Sequence, residues 1–158
     1  MTLTGSDLWV VLLAFVAMEG VSYLAHRFVM HGVGMGWHRS HHRRSASRFE
    51  KNDLFPVVFA AVTILVMTAG TTLPGLRPLL VVGVGVTLYG AAYAFVHDVY
   101  IHARLGRLPT MAPLEWLKES HRIHHLFGGE PYGMLFPVVP KPLKARARAR
   151  SFQREASW

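Results

Sequence analysis

The sequence predicts an all-α integral membrane protein, with about three transmembrane helices and cytoplasmic helical extensions. Three observations predict it. About half of the 158 residues are apolar (51%) and they gather into long runs. The basic residues avoid those runs and crowd one side of the membrane that they imply. All ten histidines fall into four tight clusters with two repeated spacings, and none is left over.

The elements follow in chain order within a single membrane domain, 1–158. Residues 1–7 carry no Lys or Arg, which argues against a cleaved signal peptide. Residues 8–25 are almost wholly apolar, broken by Glu19 and Ser22, and form the first span. Residues 26–53 are a polar segment in which Gly32, Gly34 and Gly36 end the first helix and turn the chain back. Within it, residues 37–44 fit one or two helical turns. Residues 54–73 and 78–96 are uncharged runs, each long enough to cross a hydrocarbon core of roughly 30 Å. The tight link Pro74-Gly75-Leu76-Arg77 makes them an antiparallel hairpin. A second polar segment, 97–130, extends the third span, breaks at Pro109 and Pro113, and reopens as a helix through His125. Residues 128–131 end that helix. Residues 132–140 are apolar but too short to span, so they are interfacial or re-entrant. The Arg- and Ala-rich tail, 141–158, reads as a solvated or lipid-bound helix.

Of the seventeen Lys and Arg, six lie from Arg27 to Lys51 and ten beyond the third span. Only Arg77 lies in the hairpin turn. The positive-inside rule then puts the N-terminus and the turn outside and both histidine-bearing segments in the cytoplasm. The net charge of +8 is met by this basic face, so no nucleic acid is expected. The chain has no cysteine, which excludes disulfides and thiolate metal sites.

His26 and His31 are five apart, as are His97 and His102. His38, His41 and His42 form H-x-x-H-H, as do His121, His124 and His125. Residues at i, i+3 and i+4 share a helix face, so each triplet converges two or three imidazoles. The five-residue spacing turns a regular α-helix by about 500°, which leaves the pair about 140° apart. Such a pair shares a site only where the helix is distorted or ends. Nitrogen ligation suits iron, zinc, copper or nickel. Ten imidazoles exceed the four of a structural zinc site and fit two ions of about five ligands each, a dinuclear histidine cluster.

The chain resembles the membrane-bound carotenoid hydroxylases, the bacterial-type beta-carotene 3-hydroxylases of the membrane fatty acid hydroxylase superfamily. The four histidine motifs, in order, carry the resemblance. So do the wordings MHGVGMGWHRSHH at 30–42, FEKNDL at 49–54, VHDVYIH at 96–102 and HRIHH at 121–125. It covers nearly the whole chain from the first span to about Tyr132. It implies a non-haem di-iron monooxygenase with the ten histidines as ligands, using O2 and two electrons from ferredoxin and NAD(P)H. Zinc would be expected to occupy the same nitrogens in purified samples. The implied reaction adds a hydroxyl to carbon 3 of the beta-ionone rings of beta-carotene, giving beta-cryptoxanthin and zeaxanthin. Related alternatives are a carotenoid ketolase or a fatty acid or sterol hydroxylase. A membrane metal-binding or transport protein without catalysis is the alternative of another class.

Other residues leave two readings each. Glu19, inside the first span, either orients a ligand histidine or carries protons, or it is a carboxyl bonded to a neighbouring helix. Asp98 either fixes the His97 imidazole or pairs with Arg104 or Arg122. Asn52 and Asp53 are read as caps of the second span. Gly83, Thr87, Gly90, Ala91 and Ala94 either pack helices closely or leave a slot for a polyene. Tyr89 and Tyr93, with Ala94, either line a substrate path towards His97 or simply pack. Trp37 and Trp116 read as interfacial anchors. The basic face suits anionic lipid and would also steer an acidic ferredoxin.

Overall fold

The computed structural model describes residues 4–43 and 49–155, with side chains to Ser151. The part of the basic tail beyond residue 155 lies outside the described residues, as does Arg44 at the end of the expected helical stretch after Trp37. Among the described residues the structure is helical, with no strand. The helices are α1 (Gly5–Leu24), α2 (Met35–His38), α3 (Leu54–Thr72), α4 (Arg77–Ala94), α5 (Ala112–Phe127) and α6 (Lys141–Glu155). Three of them, with their extensions, are long and apolar enough to cross a membrane: Gly5–Val33, Lys51–Thr72 and Arg77–Ile101. They make this an integral membrane protein. Large apolar side chains such as Leu12, Leu13, Val16, Ile64 and Leu65 stand exposed, as a lipid-facing surface requires.

α4 is the central span, packed against α1 on one side and α3 on the other. Small residues set the approach. A Cβ at Gly85 would lie 2.5 Å from the Val11 carbonyl of α1, and one at Gly83 would meet Met67 of α3. Without a hydrophobic drive between helices in lipid, such close packing is the main cohesive term. At the far end from the histidines, Thr4 caps α1 and Asp7 makes a paired contact with Arg77, at 2.9 and 2.6 Å. That pair ties the start of α1 to the turn between α3 and α4.

Two spans change their pitch towards their C-terminal ends. α1 continues as a π-helix over Ala25–Val33, kinked at Gly32, and α4 continues as a π-helix over Phe95–Ile101. The hydrogen bonds there run from i to i+5: the Gly34 amide donates to the Val29 carbonyl at 2.7 Å, and the His102 amide to the His97 carbonyl at 3.0 Å. This corrects the 140° offset expected of H-x4-H. In a π-helix the fifth residue is the next one up the axis, so both histidine pairs share a face.

After α5 the chain does not leave the protein. Gly128 closes α5 in the left-handed conformation (φ 67°). Residues 131–136 then fold back against α1 and α4, with Met134 buried beside Val96 and Leu117. The Met134, Leu135 and Phe136 amides donate to the Glu19 carboxylate at 2.9, 3.1 and 3.0 Å. Glu19 stands seven residues before His26, about 10 Å along the helix axis. The segment therefore runs back along α1 as a strap.

Candidate metal centre

The ten imidazoles meet where α1, α2, α4 and α5 converge. Two sets of four have ring nitrogens all within 4.8 Å of one another: His26, His31, His38 and His124 in one, and His41, His97, His102 and His121 in the other. The remaining two join them. His42 Nε2 is 3.1 Å from His38 Nε2, and His125 Nε2 is 2.8 Å from His121 Nε2 and 3.1 Å from His41 Nε2. Two adjacent groups of five result, in contact through the His42 and His125 rings, whose centroids are 4.5 Å apart.

The groups are related by a swap. The first takes four histidines from the N-terminal half of the chain and His124 from α5. The second takes four from the C-terminal half and His41 from the N-terminal half. In each H-x-x-H-H, the middle histidine crosses to the opposite group.

The tautomers show what the nitrogens can hold. His26 Nδ1 lies 2.9 Å from the Tyr132 carbonyl and His124 Nδ1 lies 2.6 Å from the Gly129 carbonyl. A carbonyl only accepts, so both Nδ1 atoms carry the proton and both Nε2 atoms present lone pairs. His38 Nδ1 likewise donates to Asn52 Oδ1 at 2.7 Å. In the second group His97 Nδ1 donates to Asp98 at 3.0 Å and His41 Nδ1 to Glu50 at 3.3 Å. His26 Nε2 and His38 Nε2 are nevertheless 3.2 Å apart, and His97 Nε2 and His41 Nε2 are 3.0 Å apart. Facing lone pairs at that separation have no proton to share and fit a cation between them. Two nitrogens about 2.1 Å from one ion sit about 3.0 Å apart at a right angle and about 3.4 Å apart at the tetrahedral angle. The observed edges of 3.0 and 3.2 Å fall in this range.

Burial favours the neutral form of the imidazoles that follow the first and third spans, as ligation requires. It holds His38 and His42 down to about 4, His102 to about 3 and His125 to about 2, and pushes His41, His121 and His124 well below the usual imidazole range. Neighbouring imidazoles add to the depression in each of these, as at His41, which faces His97, His102 and His125.

The groups that orient the imidazoles differ in part from those singled out by sequence. Asp98 does both things weighed for it: it accepts from His97 and lies 3.3 Å from Arg104 Nε, while Arg122 pairs with Glu119 instead. Asn52 caps nothing; it holds His38. Asp53 accepts from the Glu50 amide, closing the short turn Lys51–Asp53, and pairs with Arg104 at 2.7 Å. Glu50 had no assigned role in the sequence, and nothing in its spacing from a histidine marked it. Burial pushes its carboxyl up, against the pull of Arg104. Glu19 touches no histidine. Besides the strap amides it accepts from the Tyr89 hydroxyl at 2.7 Å. The strap is held at its other end by Glu130, which accepts from Tyr23 at 2.6 Å and pairs with Arg27 at 3.2 Å.

A cavity of about 460 Å³ opens below the histidines, between α1, α3 and α4. His26, His38 and His97 form its polar end, and Tyr89, Tyr93 and Ala94 line it with Phe59, Ile64 and Met67. The small residues of α4 divide accordingly. Gly83 packs against Met67, whereas Thr87, Gly90 and Ala94 face the cavity. The second span, not only the first and third, forms its wall.

The comparisons with known proteins agree with this geometry. The fatty acid hydroxylase family matches residues 11–141. The chain is 40% identical to a beta-carotene hydroxylase of Pseudescherichia vulneris, over 89% of this chain and 82% of that protein. It is 40% identical to a beta-carotene hydroxylase of Pantoea ananas, over 90% and 86%. A chloroplastic beta-carotene 3-hydroxylase 1 of Arabidopsis thaliana is 35% identical, over 91% of this chain and 48% of that longer protein. No solved structure gives a significant match. With its histidine motifs, membrane helices and this similarity over most of its length, the chain is a hydroxylating enzyme and belongs to the fatty acid hydroxylase family.

Proposed function

We propose that this enzyme is a di-iron monooxygenase that hydroxylates carbon 3 of the beta-ionone rings of beta-carotene, giving beta-cryptoxanthin and then zeaxanthin. One observation carries the reading: two adjacent groups of five histidines close the end of an apolar cavity between membrane helices. The names of the bacterial relatives support the substrate class.

Two iron ions, held one by each group, supply the oxidising power that an unactivated C–H bond requires. The balance is one C–H bond, O2, two electrons and two protons in; one C–OH group and water out. A ferredoxin reduced by NAD(P)H is the proposed donor, and the basic face around the histidines would attract it. The protein's part is binding and placement. The hydrocarbon enters from the bilayer, and the cavity walls exclude water. Thr87, Gly90 and Ala94 leave room for a flat chain, and the Tyr89 and Tyr93 rings hold one end beneath His97. Placing one carbon within reach selects the bond that reacts. The histidine end is proposed to face the cytoplasm of a bacterial inner membrane, as the Lys and Arg distribution directs.

The test is expression in cells that accumulate beta-carotene, followed by pigment analysis. The expected products carry hydroxyls at carbon 3. A 4-keto product would replace this reading with a ketolase. Unchanged beta-carotene, with membrane-inserted and metal-loaded protein, would refute it.

A further inference from the structure

We infer that the two metal sites are unequal by construction, and that the group of His41, His97, His102, His121 and His125 holds its ion the more tightly. The inference rests on the dinuclear reading above. The difference lies in what the second nitrogen of each imidazole meets. In the first group every described Nδ1 partner is neutral: the Tyr132 carbonyl for His26, the Gly129 carbonyl for His124 and the Asn52 side chain for His38. In the second group the partners are carboxylates: Asp98 for His97 and Glu50 for His41.

A carboxylate behind an imidazole draws on its N–H proton and makes the opposite nitrogen a stronger donor; a peptide carbonyl does so less. The two carboxylates also bring negative charge close to one ion. They are fixed there by a single guanidinium. Arg104 lies 3.3 Å from Glu50, 2.7 Å from Asp53 and 3.3 Å from Asp98. Among the described residues, one paired cation among three carboxylates leaves the second group with net negative surroundings. Arg104 is the only described cation paired with them. Around the first group, the charged pair Arg27–Glu130 cancels. Glu50 and Asp98 are thus positioning residues that act through His41 and His97, and they set the order in which the sites fill and empty.

The experiment uses full-length protein in detergent and Co(II) as the probe, read by its absorption bands in competition with a chelator of known affinity. His31→Ala removes a ligand from the first group and leaves the second; His102→Ala does the reverse. The ion retained by the H31A protein is expected to be bound at least ~10-fold more tightly than that retained by the H102A protein. Adding Glu50→Gln or Asp98→Asn to H31A is expected to weaken its ion by ~10- to 100-fold, and adding either to H102A to change little. Should a double variant fail to fold, the same competition on the wild type decides. Two separated release steps are expected, with E50Q alone moving only the tighter one. Affinities within threefold of each other, a reversed order, or equal effects of E50Q on both steps would overturn the inequality and leave the dinuclear reading standing. Fewer than two Co(II) equivalents in the wild type would overturn both.

Discussion

Glu19 offers the sharpest perturbation, because four donors converge on one side chain inside a membrane span. Three are backbone amides of the strap, at 2.9, 3.1 and 3.0 Å, and the fourth is the Tyr89 hydroxyl. The fit is close: a Cβ at Gly133 would lie 2.7 Å from Glu19 Oε1. Glu19→Ala leaves the three amides without an acceptor. At about 1–3 kcal/mol for each buried donor left unpaired, the two part-buried amides, of Met134 and Leu135, would cost up to about 2–6 kcal/mol if the strap stayed in place. Releasing it exposes chiefly Met134, at about 1.5–3 kcal/mol for a fully buried side chain. Release is therefore the cheaper response. It withdraws the Tyr132 carbonyl from His26 Nδ1, and with it the orientation of one ligand of the first group. Loss of such a partner lowers metal affinity by about 10- to 100-fold. The expected result is fast hydrogen exchange at residues 133–136, together with protein that retains the metal of the second group and readily loses that of the first. Glu19→Gln keeps one acceptor oxygen and should fall between. Slow exchange at 133–136 and full metal content in the Glu19→Ala protein would refute the reasoning.

Alanine at His38, His41, His42, His121, His124 or His125 is expected to abolish hydroxylation while leaving membrane insertion intact, since the spans carry the insertion signal; product analysis and membrane fractionation check it. Ala94→Phe should lower turnover per metal-loaded protein by filling the cavity below His97, whereas unchanged turnover per metal would make Ala94 a packing contact only. Asn52→Ala removes the acceptor from His38 Nδ1 and should weaken the first group's ion about tenfold, read by chelator competition, without slowing insertion of the second span as loss of a helix cap would.

The coarse plan was legible because hydropathy and charge act over whole segments. A predominantly apolar run of about twenty residues has few alternatives to a membrane helix, and three such runs became α1, α3 and α4 with their extensions. The clustering of histidine marked the residues that the fold gathers. Their angular arrangement was not legible from α-helical arithmetic. His26 and His31, or His97 and His102, look 140° apart until the ladder shifts to i→i+5, and the repeated five-residue spacing was itself the signal of that shift. Asn52 and Glu50 were misread or passed over for a different reason. Each reaches a histidine 14 or 9 residues away through a turn whose path no local pattern records. Glu19 was recognisable as unusual, an acid within a span, but its strap partners lie more than 100 residues along the chain.

The crossed middle histidines explain why each motif holds three histidines rather than two. On α5, His121 and His125 lie about 40° apart around the helix, close enough to serve one ion. His124 lies about 60° from His121 and about 100° from His125, at the edge of the same face, from where it reaches the other group. A single helix thus gives imidazoles to both groups. The N-terminal half repeats the device through His38, His42 and His41. Neither half completes a five-histidine group alone, since each lends one ligand and borrows one. An ion held in either group would therefore tie the N-terminal half of the chain to α5, so that metal binding would be coupled to assembly of the histidine end. The strap adds a tie on one side only, through His26 and His124. Symmetry in the histidines, set against asymmetry in what orients them, gives two like ligand sets unlike surroundings.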